Sequence, residues 1–166
     1  MRCDYFRLCY IFKLGGFYVD ADEVFQGGSC AHLFSDNKAK LQPLCYDVTL
    51  QQMVSTEELL HETTFNPNHI YYVNNNPIIA PPNHALVQAA LSRATRLVIA
   101  NIKRQDIQST TGPGNLSAAL VRHIAHLDRT FCRRDFTLLT DWNSISQIRW
   151  NLSYRNDERN WRLVRI

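Results

Sequence analysis

Residues 2–25 carry the pattern that most limits how this chain can fold, a helix that stops at two glycines and continues directly into a short acidic strand. Apolar residues recur at helical spacing over residues 2–14, and Gly15-Gly16 is typical of a helix C-terminus. Residues 17–20 alternate and are rich in aromatic and β-branched side chains, which predicts a strand. Carboxylates at the end of a buried strand are costly to desolvate, so they are either exposed to solvent or neutralised by a cation. The carboxylates in question are those of Asp20, Asp22 and Glu23.

Two pairs of charged residues in this region have spacings that place both members on one face. On an extended strand Asp20 and Asp22 point the same way and form a cradle for a hard divalent cation, which prefers oxygen ligands. The alternative is an acidic strand end in solvent. On a helix Asp4 and Arg7 are neighbours, and by themselves they read as a surface ion pair worth well under ~1 kcal/mol. Spacing alone leaves these alternatives open.

The two pairs together resemble a known signature. The run Asp4-x-x-Arg7, followed by Gly-Gly-Phe-Tyr-Val-Asp-Ala-Asp at residues 15–22, resembles that of DXD glycosyltransferases that use nucleotide sugars. This is the family of yeast-type α-mannosyltransferases (glycosyltransferase family 32) and the related bacterial glucosylating toxins. The resemblance implies an α/β fold, a GT-A-like, Rossmann-related domain with a mixed sheet flanked by helices. It also implies that Asp4 and Arg7 bind sugar hydroxyls, and that Asp20 and Asp22 are catalytic residues that handle the sugar, the ribose and a Mn²⁺ or Mg²⁺ ion.

Two later stretches resemble further elements of the same family. Residues 75–84, NNPIIAPPNH, are similar to a segment on the wall beside the reacting sugar. Thr111-Gly112-Pro113 is similar to a turn that opens a helix near the acceptor side. By this resemblance Asn76 is catalytic, and Asn75 binds the substrate together with Tyr18 of the first motif. Each stretch alone is more simply a β-turn or a helix N-terminus.

The chain departs from the family pattern at both ends. In the family, strands that bind the nucleotide base precede the Asp-x-x-Arg helix, whereas only three residues precede Asp4 here. We therefore expect residues 1–166 to form one domain that is truncated at its N-terminus and that by itself binds metal and sugar diphosphate weakly and turns over little or no donor. Near the other end, Asp157 or Glu158 is the candidate third metal ligand. The alternative is a solvated turn within a hairpin over residues 147–166.

Two further helices are predicted with clear apolar faces. Residues 84–101 follow Asn83 as the N-cap, and their apolar side is expected to pack on the sheet through residues that include Leu86, Leu91 and Val98. A second helix follows Gly112-Pro113-Gly114 and places His123 on its apolar side. There a hydrogen-bonded core histidine is more common than a catalytic base.

The remaining predicted elements alternate in type, and no internal repeat or low-complexity linker divides the chain. A capping box, Ser-x-x-Glu, is expected to open a short helix. These elements are the short helix from residue 55, strands at 69–73, 78–80 and 136–140, and a turn at 74–77.

Composition narrows the class of protein and of partner. With 166 residues, 45% of them hydrophobic and 20% charged, the chain is long enough for one globular domain with a substantial core. A net charge of +3 spread along the chain argues against a nucleic-acid partner. Five cysteines without metal-ligand spacing indicate reduced thiols, and no apolar stretch reaches the length of a membrane span. We expect a cytoplasmic protein, or a secreted bacterial effector if the chain belongs to a toxin-like protein.

The function implied by the resemblance is metal-dependent transfer of a sugar, with retention, from a UDP- or GDP-sugar to a hydroxyl of a glycan, protein or lipid-linked acceptor. The cation would neutralise the departing nucleoside diphosphate. One alternative is a non-catalytic remnant that binds a sugar or a partner protein. Another is a haloacid-dehalogenase-type phosphatase, whose nucleophile motif is also a strand ending in Asp-x-Asp. That motif has Thr or Val shortly after its second Asp, whereas Glu23 follows here.

Overall fold

The computed structural model describes residues 1–61, 63–100, 106–149 and 151–152, and within them the chain builds a mixed sheet with helices on both faces. The strands are β1 (Gly16–Tyr18), β2 (Glu23–Phe25), β3 (Ala39–Asp47), β4 (Gln52–Val54), β5 (His69–Ala80), β6 (Phe136–Leu138) and β7 (Ser146–Ile148). The helices are α1 (Arg2–Leu14), α2 (Thr56–His61), α3 (Ala85–Ala100), α4 (Ile107–Thr110), α5 (Pro113–Arg129) and α6 (Trp142–Ile145), with a 3₁₀ turn at Ala31–Phe34.

The larger sheet has five strands in the order β1-β5-β3-β4, with β6 beside the first part of β3. Strand β6 runs parallel to β3, whereas the other neighbours in this sheet are antiparallel. Strands β2 and β7 form a separate antiparallel pair. The mixed sheet expected from the sequence is therefore present.

The hydrophobic core lies on both faces of the larger sheet. Successive residues of a strand point to opposite faces, and Ile78 and Ile79 of β5 accordingly enter two different clusters. Helices α1, α3 and α5 cover the first face with side chains that include Leu8, Ile11, Leu86, Ala90, Leu116 and Ala119. The 3₁₀ turn and α6 cover the second face, where the cluster contains Leu33, Leu139, Trp142 and Ile145.

Strand β5 runs through the segment for which the sequence predicts a turn, so the prediction of a turn at residues 74–77 is wrong. The β3 partners of Val73 and Ile78 lie only two positions apart, and residues 74–77 are therefore opposite Gln42 alone. The Asn76-Pro77 peptide bond within this segment is cis. We call residues 74–77 the β5 bulge. A bulge leaves its extra residues outside the regular ladder, so that their side chains can be directed at other elements.

Helix α1 and its glycine stop agree with the sequence prediction. The helix ends at Leu14, and Gly15 has a φ of 66° while its N–H donates to Ile11 O at 2.8 Å. A Cβ atom on residue 15 would lie 2.6 Å from the backbone N of Pro82. Glycine is required here both by the left-handed backbone and by the close approach of the chain after β5.

Helix α3 differs from its prediction at its start and along its face. It begins at Ala85, and the backbone N–H of Leu86 donates to His84 Nδ1 at 3.2 Å, so His84 supplies the cap. The predicted cap, Asn83, instead has a left-handed φ of 59° before the helix. Leu86 is fully buried and Leu91 packs against the core, but Val98 is exposed, which makes the expectation for Val98 wrong.

Two smaller predictions are confirmed. Glu58 N donates to Ser55 Oγ at 3.2 Å, and Ser55 N donates to Glu58 Oε2 at 3.1 Å, which completes the capping box of α2. His123 is a buried, hydrogen-bonded histidine whose Nε2 lies 2.7 Å from Asp135 Oδ1.

The predicted C-terminal hairpin lies mostly outside the described residues. Ser146–Ile148 does form a strand, and within the described residues it pairs with β2. Strands β2, β3 and β4 were not predicted from the sequence. In the part of the chain described, no helix combines the length and the apolar character needed to cross a membrane.

Replacing Leu86 with alanine is expected to destabilise the fold by about 2–5 kcal/mol, because Leu86 has no exposed surface and its loss leaves a cavity under the sheet. Ile99→Ala is the control in the same helix, since Ile99 is 77% exposed. Chemical denaturation monitored by circular dichroism measures both. Equal changes in the free energy of unfolding for the two variants would contradict the packing of α3 described above.

Candidate functional site

Arg7 is the centre of a cluster that joins α1, β1 and the β5 bulge. Its side chain is almost fully buried, with 5% of the residue exposed. Nη2 donates to Asp20 Oδ1 at 3.0 Å and lies 3.5 Å from Asp4 Oδ1, while Nη1 donates to the carbonyl oxygen of Asn75. The guanidinium carbon also lies 4.3 Å from the centre of the Tyr18 ring, a cation–π contact. The alternative of a surface ion pair between Asp4 and Arg7 is therefore wrong.

Tyr18 and Arg7 converge on one oxygen of Asp20. The Tyr18 hydroxyl donates to Asp20 Oδ1 at 3.0 Å. Burial raises the pKa of Tyr18 to about 12, with the Asp20 carboxylate adding to the shift and the Arg7 guanidinium opposing it. Tyr18 therefore stays protonated at neutral pH and remains a hydrogen-bond donor. The Asp20 side chain itself is 36% exposed.

The β5 bulge contributes two asparagines to the same cluster. Asn75 Nδ2 donates to Asp4 Oδ1 at 2.9 Å, in addition to the bond between its carbonyl group and Arg7. Asn76 is 4% exposed, and its Oδ1 accepts a hydrogen bond from the backbone N–H of Asp20 at 2.8 Å. The bulge thus binds the helix through Asn75 and the chain after β1 through Asn76.

Glu23 belongs to this cluster, although the sequence analysis assigned it no role. Its Oε1 accepts from Asn76 Nδ2 at 2.8 Å, and its Oε2 accepts from Ser146 Oγ at 2.6 Å. The signal that could have found Glu23 was its place as the third carboxylate after β1. Ser146, on β7, carried no comparable signal in the sequence.

The geometry expected for Asp20 and Asp22 is corrected by the structure. Strand β1 ends at Tyr18, and residues 20–23 form a turn in which Glu23 N donates to Asp20 O at 3.1 Å. The alternation of side chains along a strand therefore does not apply to this pair. The carbonyl group of Asp22 accepts from Arg149 N at 2.7 Å.

The oxygen atoms at this turn are the groups available to the divalent cation that the sequence predicts. Carboxylate oxygens suit Mn²⁺ or Mg²⁺, and such ions usually complete their shell with water and phosphate. Asp20 Oδ1 is engaged by Arg7 and Tyr18, whereas the exposed part of the carboxylate is compatible with a ligand. Among the described residues, no group of three or more His, Cys, Asp or Glu is arranged to hold a metal ion. The candidate third ligands, Asp157 and Glu158, lie outside those residues.

The Thr111-Gly112-Pro113 turn opens α5, as predicted, and the structure connects it to the bulge. Gly112 is the N-cap and Pro113 the first helical residue. Val73 N donates to Ser117 Oγ at 2.9 Å, so the beginning of α5 holds β5 directly before the bulge. His84, at the other end of the second motif, donates from Nε2 to Asp135 O at 3.0 Å and caps α3. The turn before α5 and His84 therefore each have a role in the fold.

The fold of this chain is similar to that of a solved protein structure. No protein-family model matches this sequence, and no curated protein matches it. A solved structure described as "PaToxG Glycosyltransferase" is similar, with a TM-score of 0.51 and 19% sequence identity over 77% of this chain. The match covers 37% of that solved chain, so this chain spans well under half of its length. The likeness supports a glycosyltransferase-like α/β fold with a mixed sheet flanked by helices, as expected from the sequence.

Proposed function

We propose that this chain carries out transfer of a sugar from a UDP- or GDP-sugar to a hydroxyl group of a glycan or protein. The observation that carries the proposal is the convergence of the motif residues. They come from a helix, a strand end and a bulge far apart in sequence, yet they form one hydrogen-bonded cluster. Its members are Asp4, Arg7, Tyr18, Asp20, Asn75 and Asn76. The likeness of the fold to a solved glycosyltransferase supports the same assignment.

Asp20 is the residue proposed to meet the donor sugar. The described hydrogen bonds to its carboxylate go to Oδ1, and 36% of the side chain is exposed. The exposed carboxylate surface can accept hydrogen bonds from sugar hydroxyl groups. Because the Arg7 guanidinium lies 3.0 Å away, the local negative charge is partly neutralised, which reduces repulsion of an anionic diphosphate.

Arg7 is proposed to act mainly by fixing its neighbours. With 5% of the residue exposed, it offers little surface to a sugar, and its Nη1 and Nη2 groups donate to the Asn75 carbonyl group and to Asp20. Preorganised groups of this kind need no rearrangement when charge develops in the reaction. The motif role of binding sugar hydroxyls is proposed here for Asp20 first and for Asp4, Tyr18 and Asn75 around it, with Asn76 beside the reacting centre.

The proposed reaction breaks the bond between the anomeric carbon and the leaving diphosphate. A bond from the acceptor oxygen to the same carbon forms with retention of configuration, and the acceptor proton passes to the leaving phosphate. No protein nucleophile is needed for this route. Asp20 and Asp22, with Asp157 or Glu158 as a third ligand, would hold Mn²⁺ or Mg²⁺, which when bound supplies positive charge to the diphosphate.

The phosphatase alternative has little support from the sequence, since its motif has Thr or Val shortly after the second Asp, whereas Glu23 follows Asp22 here. The other alternative is a non-catalytic protein that binds a sugar or a partner protein.

Donor binding is expected to depend on Asp20. Isothermal titration with UDP-glucose, UDP-N-acetylglucosamine and GDP-mannose in the presence of Mn²⁺ should detect binding of at least one donor at millimolar concentration. We expect Asp20→Asn to weaken this binding and donor hydrolysis about tenfold or more, since a charge-assisted hydrogen bond to the sugar is worth about 1.5–3 kcal/mol. Asp128→Asn, which removes a surface carboxylate paired with Arg134, is the matched control.

The outcomes separate the candidate functions. Binding with hydrolysis that Asp20→Asn reduces supports the transferase. Binding with no hydrolysis in the wild type favours the non-catalytic alternative. No binding of any donor, or equal binding by Asp20→Asn and wild type, would contradict the proposed site.

Addition of Mn²⁺ alone is expected to raise the melting temperature by a few degrees, because a ligand that binds only the folded state adds RT ln(1 + [L]/Kd) to its stability. The shift should disappear in Asp22→Asn and persist in Asp128→Asn, as measured by differential scanning fluorimetry with an EDTA reference. An identical shift in Asp22→Asn would remove this carboxylate from the set of metal ligands.

A further inference from the structure

Both carboxylate oxygens of Glu23 accept hydrogen bonds within the cluster, and the proposed reaction gives this residue no role. Its Oε1 accepts from Asn76 Nδ2 at 2.8 Å, and its Oε2 accepts from Ser146 Oγ at 2.6 Å. Ser146 is buried on β7, and that strand pairs with β2, which begins at Glu23. The carboxylate is therefore held from the side of the second sheet.

Ser146 and Asn76 both donate their hydrogen bonds to the Glu23 carboxylate. At its other end, Asn76 Oδ1 accepts from the backbone N–H of Asp20 at 2.8 Å. A backbone N–H can only donate, and the Glu23 carboxylate accepts, so only one orientation of the Asn76 amide satisfies both neighbours. Because Asn76 is 4% exposed, water cannot easily replace either bond.

We propose that Glu23 and Ser146 are positioning residues that lock the Asn76 amide and thereby hold the backbone of Asp20 in place for the donor. The effect on catalysis rests on the proposed function, whereas the fixed position of the Asp20 backbone does not depend on it. Positioning through a buried amide matters because displacement of a reacting group by about 1 Å can cost about a hundredfold in rate.

The proposed role requires the hydrogen-bonding pattern of Glu23 and not its charge. Glutamine at this position keeps one acceptor for Asn76 and can donate to Ser146 Oγ, whose own proton then goes to Val24 O, 3.3 Å from Oγ. Glu23→Gln should therefore behave like the wild type. A metal ligand or general base at this position would not tolerate that change.

The structural test is amide hydrogen exchange measured by NMR on the ¹⁵N-labelled chain. Exchange at Asp20 should accelerate about tenfold in Glu23→Ala and in Ser146→Ala, as expected when the acceptor of its hydrogen bond is no longer fixed. Glu23→Gln should keep the wild-type rate. Ser144→Ala is the matched serine control, because the Ser144 hydroxyl donates to Asp141 O within its own turn. The Gly15 amide, bonded to Ile11 O, is the internal reference.

Unchanged exchange at Asp20 in Ser146→Ala would overturn the proposal for Ser146, and unchanged exchange in Glu23→Ala would overturn it for Glu23. If Glu23→Ala does not fold, Ser146→Ala and Glu23→Gln decide. These results are independent of any donor activity, so they remain decisive if the proposed function fails.

The functional test is hydrolysis of the donor by the full chain, with kcat and KM determined separately. Glu23→Ala is expected to lower kcat about tenfold or more, with a smaller change in KM, and Glu23→Gln is expected to restore kcat. Loss of activity in Glu23→Gln with normal exchange at Asp20 would show that the charge is needed, which overturns the positioning role. If the wild-type chain, which is expected to turn over little donor, shows no hydrolysis, amide exchange alone decides the role of Glu23.

Discussion

The buried positive charge of Arg7 is the constraint on which the candidate site depends. A guanidinium group with 5% exposure costs several kcal/mol in desolvation unless partners surround it. Here the partners come from three places: Asp4 on its own helix, Asp20 after β1, and the carbonyl group of Asn75 in the β5 bulge. Movement of α1 relative to the chain after β1 would separate Arg7 from Asp20, and movement of the bulge would remove the carbonyl acceptor of Nη1. Removing Arg7 would also leave two carboxylates close together, so stability and site geometry are linked at this residue.

The β5 bulge makes this arrangement possible. A regular strand would direct alternate side chains to opposite faces and would pair every carbonyl group with a neighbouring strand. In the bulge, the Asn75 carbonyl group turns to Arg7, and the amides of Asn75 and Asn76 bond Asp4 and Glu23. Asn74, the preceding residue, donates instead to Gln42 Oε1 at 3.0 Å. Bulges next to functional sites commonly redirect side chains in this way.

The parts of the fold that could be predicted from the sequence are those controlled by local periodicity. The helical spacing of residues 2–14 and the glycines after it predict α1 and its end, and a positive φ at Gly15 agrees. Likewise, Ser55 and Glu58 form the capping box that their spacing indicates. These features depend on residues a few positions apart.

Features that depend on distant partners were not predictable in the same way. Three asparagines followed by Pro77 resemble a turn, and only their contacts with α1, β2 and β3 make them part of a strand. Strand β3 contains Pro43 and is mostly buried, so its sequence lacks a clear alternation. Cap selection at α3 likewise depended on His84, whose ring is held by Asp135 from beyond α5.

The sequence predicted which residues meet at the candidate site better than it predicted how they are arranged there. The motif residues do meet, but the prediction that Asp20 and Asp22 point the same way assumed a strand that continues through both, whereas β1 ends at Tyr18. Glu23 was visible only as an additional carboxylate, because the role inferred for it depends on Ser146, more than a hundred residues later. A resemblance in sequence identifies which residues converge, whereas the folded chain determines which atoms are available to a ligand.

The most direct test of the central claim, that the Arg7 cluster is a donor-binding site, is an NMR titration of the ¹⁵N-labelled chain with UDP- and GDP-sugars in the presence of Mg²⁺. Chemical-shift changes map where a weakly bound ligand lies even at millimolar affinity. The account predicts the largest changes at the amides of residues 18–23 and at the side-chain amides of Asn75 and Asn76. Changes concentrated elsewhere, such as the open groove lined by Asp47, Glu58 and His69, or no changes at saturating donor, would contradict it.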